Sequence, residues 1–219
     1  MTKITIITSR SSWFLPHAKE IVTHLETQKC DVDLLTDHEK LPAGQDIVFY
    51  LSYFRIVPQT ILARSKHNIV IHESDLPKGR GWAPLFWQII EGKNRIPTVA
   101  FEAVEEMDAG PVYATETIDL DGTELHDEIR LAQAHVTRTL VVECVQKYND
   151  GRLTPITQQG EATYYCKRSP EDSCLDPNKT IAEQFDLLRT VHNTEFPAHF
   201  ELRGQRYVLT ITKDSREDL

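Results

Sequence analysis

The sequence contains few cysteines, no long apolar run and no clustered run of basic residues. Its four cysteines form neither a C-x-x-C pair nor a cysteine–histidine spacing that binds zinc, and this usage is typical of a reducing compartment. No apolar run approaches the roughly 18 residues that a membrane-spanning helix needs, and the first residues (MTKITII) lack the apolar core of a signal peptide. We therefore expect a cytoplasmic protein that holds no metal and does not bind membranes.

Basic residues are outnumbered by acidic ones. Lys and Arg total 24 against 33 Asp and Glu among the 219 residues, which gives a formal net charge of -9. Proteins that bind tRNA or DNA usually present a clustered basic face, so this balance disfavours nucleic acid and leaves small molecules as the expected partners. The composition, 26% charged and 40% hydrophobic, excludes a disordered chain and suits one domain of ordinary size, alone or with a small appendage.

Short β-branched runs alternate with amphipathic segments through the first 150 residues. Strands are predicted at residues 3–8, 32–35, 46–51, 68–72, 98–104 and 112–120. Helices are predicted between them, and a long amphipathic helix follows from Thr123. This alternation is typical of βαβ units. It predicts an α/β fold, with a Rossmann-like, mainly parallel twisted sheet flanked by helices, in a catalytic domain of residues 1–150.

The pattern changes in residues 151–219. Residues 152–177 hold three prolines and few apolar runs, which predicts a long connecting loop. Residues 180–183 (TIAE) match a capping box and predict a helix, and apolar residues on both sides of Arg203-Gly204-Gln205 predict an antiparallel hairpin. We expect a small C-terminal α+β appendage of a helix plus a β-hairpin. The apolar strands of the hairpin offer either a surface for a homodimer or a face that packs on the helix of the same appendage.

A histidine and an aspartate are predicted at the ends of neighbouring strands. His72 ends the fourth predicted strand, and Asp108 lies in the loop after the fifth. Open parallel sheets carry their sites at the carboxyl ends of the strands, and an imidazole beside a carboxylate suits general acid–base chemistry. From the residues alone, a capping or core histidine and a turn aspartate are the simpler alternative. The loop at residues 8–13 suits a phosphate at a helix N-terminus, with an ordinary serine cap as its alternative.

Residues 72–81 (HESDLPKGRG) resemble the folate-dependent formyltransferases, whose pattern is N-x-H-x-S-x-L-P followed by R-G or P-G. Residues 105–112 (EEMDAGPV) are similar to the loop that holds the catalytic aspartate of glycinamide ribonucleotide transformylase. Residues 52–58 and 87–98 agree with the same family in order and spacing. Three tail segments, at residues 165–172, 185–189 and 196–200, resemble the sugar N-formyltransferases. Together these similarities span residues 3–210.

The resemblance implies N10-formyltetrahydrofolate as co-substrate and an amine as acceptor. It implies that His72 stabilises the oxyanion and relays protons, and that Asp108 orients His72 or a water and accepts the proton of the attacking amine. The implied folate-binding residues are Phe54, Arg55, Ile56, Val57, Ile61, Leu62, Val104, Glu105, Met107 and Asp108. The candidate acceptor-binding residues are Ser9, Arg10, Ser11, Trp13, Lys78, Arg80 and Trp82.

One position departs from the family pattern. The asparagine that stands two residues before the histidine is Val70 here, and a valine donates no hydrogen bond to an oxyanion. Asn68 shares a strand face with Val70 but lies roughly 6.6 Å further back along the strand. It can replace the missing donor only if the strand bulges or the register differs. Otherwise a backbone N–H or a different side chain has to supply the hydrogen bond, or the protein is inactive.

The acceptor is interpreted by elimination within the family. The short tail and the net charge of -9 disfavour a methionyl-tRNA formyltransferase, and the tail motifs disfavour glycinamide ribonucleotide transformylase. We therefore expect an N-formyltransferase for a nucleotide-linked amino-deoxysugar in glycan biosynthesis, of the pseudaminic-acid-pathway type. The alternatives are a formyltetrahydrofolate hydrolase, a glycinamide ribonucleotide transformylase-like enzyme and a catalytically impaired folate-binding protein.

Overall fold

The computed structural model describes residues 1–214. In chain order, the strands are β1 (Lys3–Ile7), β2 (Asp31–Leu35), β3 (Gln45–Tyr50), β4 (Ser65–His72), β5 (Arg80–Gly81), β6 (Arg95–Glu102), β7 (Val112–Asp119), β8 (Tyr164–Tyr165), β9 (Ala198–Leu202) and β10 (Gln205–Leu209). The α-helices are α1 (Leu15–Thr27), α2 (Gln59–Leu62), α3 (Pro84–Ile90), α4 (His126–Asn149) and α5 (Phe185–Leu188). Within residues 1–214, no helix is both long and apolar enough to cross a membrane.

Six strands form one central sheet in the order β2-β1-β3-β4-β6-β7. The first four strands in this order are parallel, whereas β6 pairs antiparallel with β4, and β7 with β6. Helices cover the sheet, with α4 packed on β6 and β7 and α1 on β2. The predicted Rossmann-like, mainly parallel α/β fold is therefore confirmed.

The apolar runs of the strands are buried on both faces of the sheet. Ile4, Ile6 and Phe49 belong to the larger core, which also receives the apolar faces of α1, α3 and α4. A smaller core on Val48 and Tyr50 includes both buried residues of α2. Full burial of one large aliphatic side chain contributes about 1.5–3 kcal/mol. This two-sided burial explains why β1 and β3 are buried at nearly every position and not only at alternate residues.

The C-terminal part is only partly as predicted. The hairpin is confirmed, because β9 and β10 pair antiparallel around Arg203 and Gly204. The capping box at Thr180 and Glu183 forms, but a 3₁₀ turn (Ala182–Gln184) and the single turn of α5 replace the expected longer helix. The Gln184 side chain bonds the backbone of Asp176, which ties this turn to the preceding loop. The division at residue 150 remains a prediction, and residues 215–219 of the second part lie outside the described residues.

A buried arginine connects the two parts. Arg189 is fully buried, and its guanidinium donates to Asp186 on α5 at 2.8 Å and to Asn94 of the sheet domain. Glu124, in the loop before α4, lies 3.6 Å away. A buried charge is tolerated only when it is paired in this way, so these contacts hold α5 against the sheet domain.

Candidate active site

His72 lies at the carboxyl end of β4, and only 6% of it is exposed. Its Nε2 is 2.8 Å from the carbonyl oxygen of Gly79. Because a carbonyl can only accept a hydrogen bond, Nε2 carries the proton, and Nδ1 is the acceptor nitrogen of the neutral ring. The loop after β4 therefore selects the tautomer of His72.

Asp108 is close to the same ring nitrogen. Its Oδ2 lies 3.9 Å from Nε2 of His72 and accepts a hydrogen bond from the backbone N–H of Gly81 at 2.8 Å. The structure thus brings the two predicted catalytic side chains together, although Gly79, not Asp108, makes the direct bond to the imidazole. At 3.9 Å, the carboxylate lies near the ring but beyond hydrogen-bond distance.

The two side chains do not meet at neighbouring carboxyl ends, as the sequence reasoning supposed. Because β6 is antiparallel, its last residue Glu102 pairs with Ile69, whereas His72 pairs with Val99. The loop at residues 103–111 starts about 10 Å from His72 along the strand and folds back towards it. Asp108 in this loop has φ of 52°, a left-handed conformation that Asp adopts more readily than most residues.

Gly110 allows this loop to lie against β6. A Cβ atom on Gly110 would stand 1.7 Å from the carbonyl oxygen of Glu102, which is main chain and cannot swing away. We expect Gly110→Ala to displace the Asp108 loop and to slow, at least tenfold, the formyl transfer that the sequence resemblance implies. Steady-state kinetics with the donor, together with a thermal melt, test this. In the control variant Gly151→Ala the new Cβ meets nothing within 4 Å. Because φ of 67° strains an alanine there, its melting temperature is expected to fall while its rate is unchanged. A full rate in Gly110→Ala would contradict the assignment.

The predicted folate positions divide into buried and exposed groups. Ile61 and Leu62 are buried and share one apolar cluster with half-buried Val57 and Val70. The remaining apolar positions are exposed, and they are Phe54, Ile56, Val104 and Met107. Arg55 pairs with Asp37 at 2.8 Å, and Glu105 is exposed. The four exposed apolar side chains lie in the loops after β3 and β6, and exposed apolar side chains of this kind favour a binding surface.

The predicted acceptor positions have mixed surroundings. Lys78, Arg10 and Ser11 are exposed, and the Ser9 hydroxyl accepts weakly from the N–H of Phe54 at 3.5 Å. Trp82 is partly exposed and lies near-parallel to Phe54, with ring centroids 6.5 Å apart.

Two of the predicted acceptor positions are already occupied by protein contacts. Trp13 is half-buried, and its ring lies 4.5 Å from the Arg130 guanidinium, so its observed role is packing. Arg80 is only 8% exposed and pairs with Glu106 at 2.6 Å. Burial lowers the pKa of Arg80, but hydrogen bonds to Tyr164 and Glu106 outweigh it and raise the pKa above its ordinary value. The visible role of Arg80 is to hold the loop of Asp108.

Asn68 does not replace the missing asparagine. It is 4% exposed, its Nδ2 donates to Leu62 O at 3.0 Å, and its Oδ1 accepts from the hydroxyls of Ser65 and Tyr50. The ladder from β4 to its neighbours continues without a bulge through Val70. Neither condition under which Asn68 can substitute is met.

A part of the site that sequence reasoning missed comes from the connecting segment. Thr163 accepts from Gly79 N through its hydroxyl at 2.8 Å and from Arg80 N through its carbonyl at 2.9 Å. Trp82 N donates to Tyr165 O at 3.1 Å, so β8 pairs with β5 along the His72 loop. Sequence reasoning predicted only a loop here, because a two-residue strand has no periodicity to detect.

The sequence pattern of the family described as "Formyl transferase" matches residues 19–145, which is more than half of the chain. The chain belongs to the formyl transferase family. The matched region contains both His72 and Asp108. Among the residues that the structure describes, no group of three or more His, Cys, Asp and Glu side chains is placed to hold a metal ion.

A methionyl-tRNA formyltransferase from Streptococcus suis is 29% identical to this formyl transferase over 170 residues, covering 77% of the chain and 54% of the relative. A methionyl-tRNA formyltransferase from Clostridium novyi is 30% identical over 158 residues, covering 69% of the chain and 50% of the relative. The chain therefore spans about half the length of these relatives.

Solved structures share the fold at lower identity. The methionyl-tRNA formyltransferase from Clostridium thermocellum aligns with a TM-score of 0.78 and 22% identity, covering 94% of this chain and 90% of that one. HypX from Aquifex aeolicus in complex with tetrahydrofolic acid aligns with a TM-score of 0.76 and 20% identity, covering 93% of this chain and 36% of that one. A sugar N-formyltransferase from Shewanella sp. aligns with a TM-score of 0.72 and 15% identity, covering 98% of this chain and 99% of that one.

Proposed function

We propose that this formyl transferase moves the formyl group of N10-formyltetrahydrofolate to the amine of a nucleotide-linked amino-deoxysugar. The observation that carries the proposal is the arrangement of His72, with its Nε2 on the Gly79 carbonyl and 3.9 Å from the Asp108 carboxylate. In this arrangement an imidazole of defined tautomer lies beside a negative charge in a buried position. Such a pair suits acyl transfer to an amine.

In the proposed reaction, the acceptor amine attacks the formyl carbon, and a tetrahedral oxyanion forms. His72 in its protonated form donates from Nδ1 to the oxyanion, while Nε2–H stays on Gly79 O. The Asp108 carboxylate, 3.9 Å from the ring, accepts through a water the proton that the attacking amine loses. The intermediate then collapses: N10 takes up, through the same water, the proton that Asp108 received from the amine, the bond from the formyl carbon to N10 breaks, and the new amide remains on the sugar.

The donor is proposed to lie against the apolar wall of Ile61 and Leu62. The exposed apolar side chains of Phe54, Val104 and Met107 would then be covered by the folate, which removes their surface from water. HypX, which shares this fold, was solved with tetrahydrofolic acid, and this supports a reduced folate as the donor.

The choice of acceptor is supported by charge and by similarity. A net charge of -9 is unfavourable for binding tRNA, and a sugar N-formyltransferase aligns over 98% of this chain and 99% of its own. The methionyl-tRNA formyltransferase structure aligns over 94% and 90%, so the charge is the stronger of the two supports. The relatives detected by sequence favour methionyl-tRNA as the second candidate. A homodimer through β9 and β10 is part of the proposal, because Tyr207 and Val208 on β10 are exposed.

The deciding experiment incubates the protein with N10-formyltetrahydrofolate and one acceptor at a time. The acceptors are a panel of 3-amino- and 4-amino-deoxysugar nucleotides that includes the pseudaminic-acid type, then glycinamide ribonucleotide, and then methionyl-tRNA. A further reaction contains no acceptor. We expect one sugar nucleotide to gain about 28 mass units, the formyl replacing an amine hydrogen. Formylation of methionyl-tRNA or glycinamide ribonucleotide instead would replace the proposed acceptor. Formate release without acceptor would indicate a hydrolase, and binding without turnover an impaired protein.

A further inference from the structure

Gln158, in the segment between α4 and β8, contacts both loops of the candidate site. Its Nε2 donates to the carbonyl oxygens of Asp108 at 2.8 Å and Gly110 at 2.7 Å, and its Oε1 accepts from Nη2 of Arg80 at 3.0 Å. Carbonyls only accept and a guanidinium only donates, so these partners allow a single orientation of the amide. No carboxylate or hydroxyl can make the same three bonds from this position.

The loop of Asp108 is held at a second point by the same arginine. Nη1 of Arg80 donates to Glu106 Oε1 at 2.6 Å, while its Nη2 bonds Gln158. Arg80 and Gln158 therefore clamp the loop on both sides of Asp108. Asp108 itself has φ of 52°, and a backbone in this region persists only where its surroundings hold it. The direction of the carboxylate depends on that backbone.

We propose that Gln158 is a positioning residue, which acts on the reaction only through Asp108. By holding the carbonyls of Asp108 and Gly110, it keeps the Asp108 carboxylate on Gly81 N and 3.9 Å from His72. The expected loss of kcat rests on the proposed function. The expected change in the surroundings of His72 does not depend on it.

The attachment of the segment does not depend on the Gln158 side chain. Ile156 exchanges two backbone hydrogen bonds with Val112, both of 2.8 Å, and β8 pairs with β5 further along. A substitution at position 158 therefore changes the clamp and leaves the segment in place. This makes a purely structural effect distinguishable from a positioning effect.

The test compares Gln158→Glu with Gln159→Glu, which makes the same change at an exposed neighbour. A carboxylate at position 158 still accepts from Arg80 but repels the two carbonyls. We expect kcat to fall about 10- to 100-fold, with the donor KM within about threefold of wild type.

In the Asp108→Asn background, Gln158→Glu should cause little further loss of kcat, because the effects of residues that act through one group are not additive. Gln159→Glu should behave as wild type. Gln158→Ala, which removes the bonds without adding charge, serves if Gln158→Glu folds poorly.

A second readout needs no turnover. In histidine-labelled protein, the NMR signal of His72, assigned by its loss in His72→Gln, should move in Gln158→Glu in the same direction as in Asp108→Asn. If the protein transfers formyl to no acceptor tested, this signal alone decides. An unmoved His72 signal overturns the proposal, as does a kcat loss that adds fully to that of Asp108→Asn.

Discussion

Replacing His72 by glutamine is expected to lower the rate of formyl transfer at least 10³-fold while the protein stays folded. Glutamine can still donate to the carbonyl of Gly79, the partner of Nε2 at 2.8 Å, so the loop after β4 keeps its contact. What is lost is a group that can hold and release a proton, and such groups contribute typically 10²–10⁴-fold. Asp108→Asn removes the charge and the group that accepts the amine proton, but it keeps the backbone contact, since asparagine also accepts from Gly81 N and tolerates φ of 52°. We expect it to cost about 10²-fold or more.

Single-turnover rates with excess enzyme measure these losses at the chemical step, and thermal melts report on the fold. His135→Gln is the matched control, because His135 is exposed on α4 and the substitution is the same. It should leave the rate within about twofold of wild type. Near-normal rates in both His72→Gln and Asp108→Asn would show that the reaction uses other groups. Loss of the cooperative melt in either variant would move the test to binding of the donor.

Much of the fold was predictable because burial leaves a pattern in the chain. The β-branched runs of β1, β3 and β4 have to be buried on both faces, and a parallel sheet covered by helices follows from that. The direction of β6 has no such pattern. A buried strand has the same sequence pattern whether it pairs parallel or antiparallel. The pairing of Glu102 with Ile69 could therefore not be predicted from the sequence.

The candidate site was predictable where a titratable residue carries the chemistry and not where a polar residue holds the backbone. His72 and Asp108 are residue types whose chemistry suggests a role, whereas Gln158 is one of several polar residues in a proline-containing stretch. Its partners are the carbonyls of Asp108 and Gly110, about fifty residues away in sequence, and any residue presents a carbonyl. The contacts of Arg80 could not be predicted for the same reason, since its partners Glu106 and Gln158 are distant along the chain.

The second large effect is expected from Val70→Asn, which restores the amide of the family pattern. Val70 pairs with Tyr50 and Phe101 in the sheet and, by the alternation of a strand, lies on the same face as His72. One oxyanion donor is worth about 10²–10³ in turnover, so the variant should transfer formyl about 100-fold faster than wild type. Val70 packs in apolar clusters on both sides, and an amide placed there should cost about 1–3 kcal/mol of stability.

Val70→Leu is the control, because the leucine side chain is similar in size to that of asparagine and offers no hydrogen-bond donor. A rate gain in Val70→Asn that Val70→Leu does not share would show that the oxyanion lacks a hydrogen bond in this chain. If wild type transfers slowly or not at all and Val70→Asn transfers well, His72 and Asp108 are competent and a single missing donor accounts for the weak activity. If instead both variants slow an already fast enzyme, another group supplies the bond. Since Asn68 is held by Leu62, Ser65 and Tyr50, that group is a backbone N–H or a side chain other than Asn68, such as the imidazolium of His72.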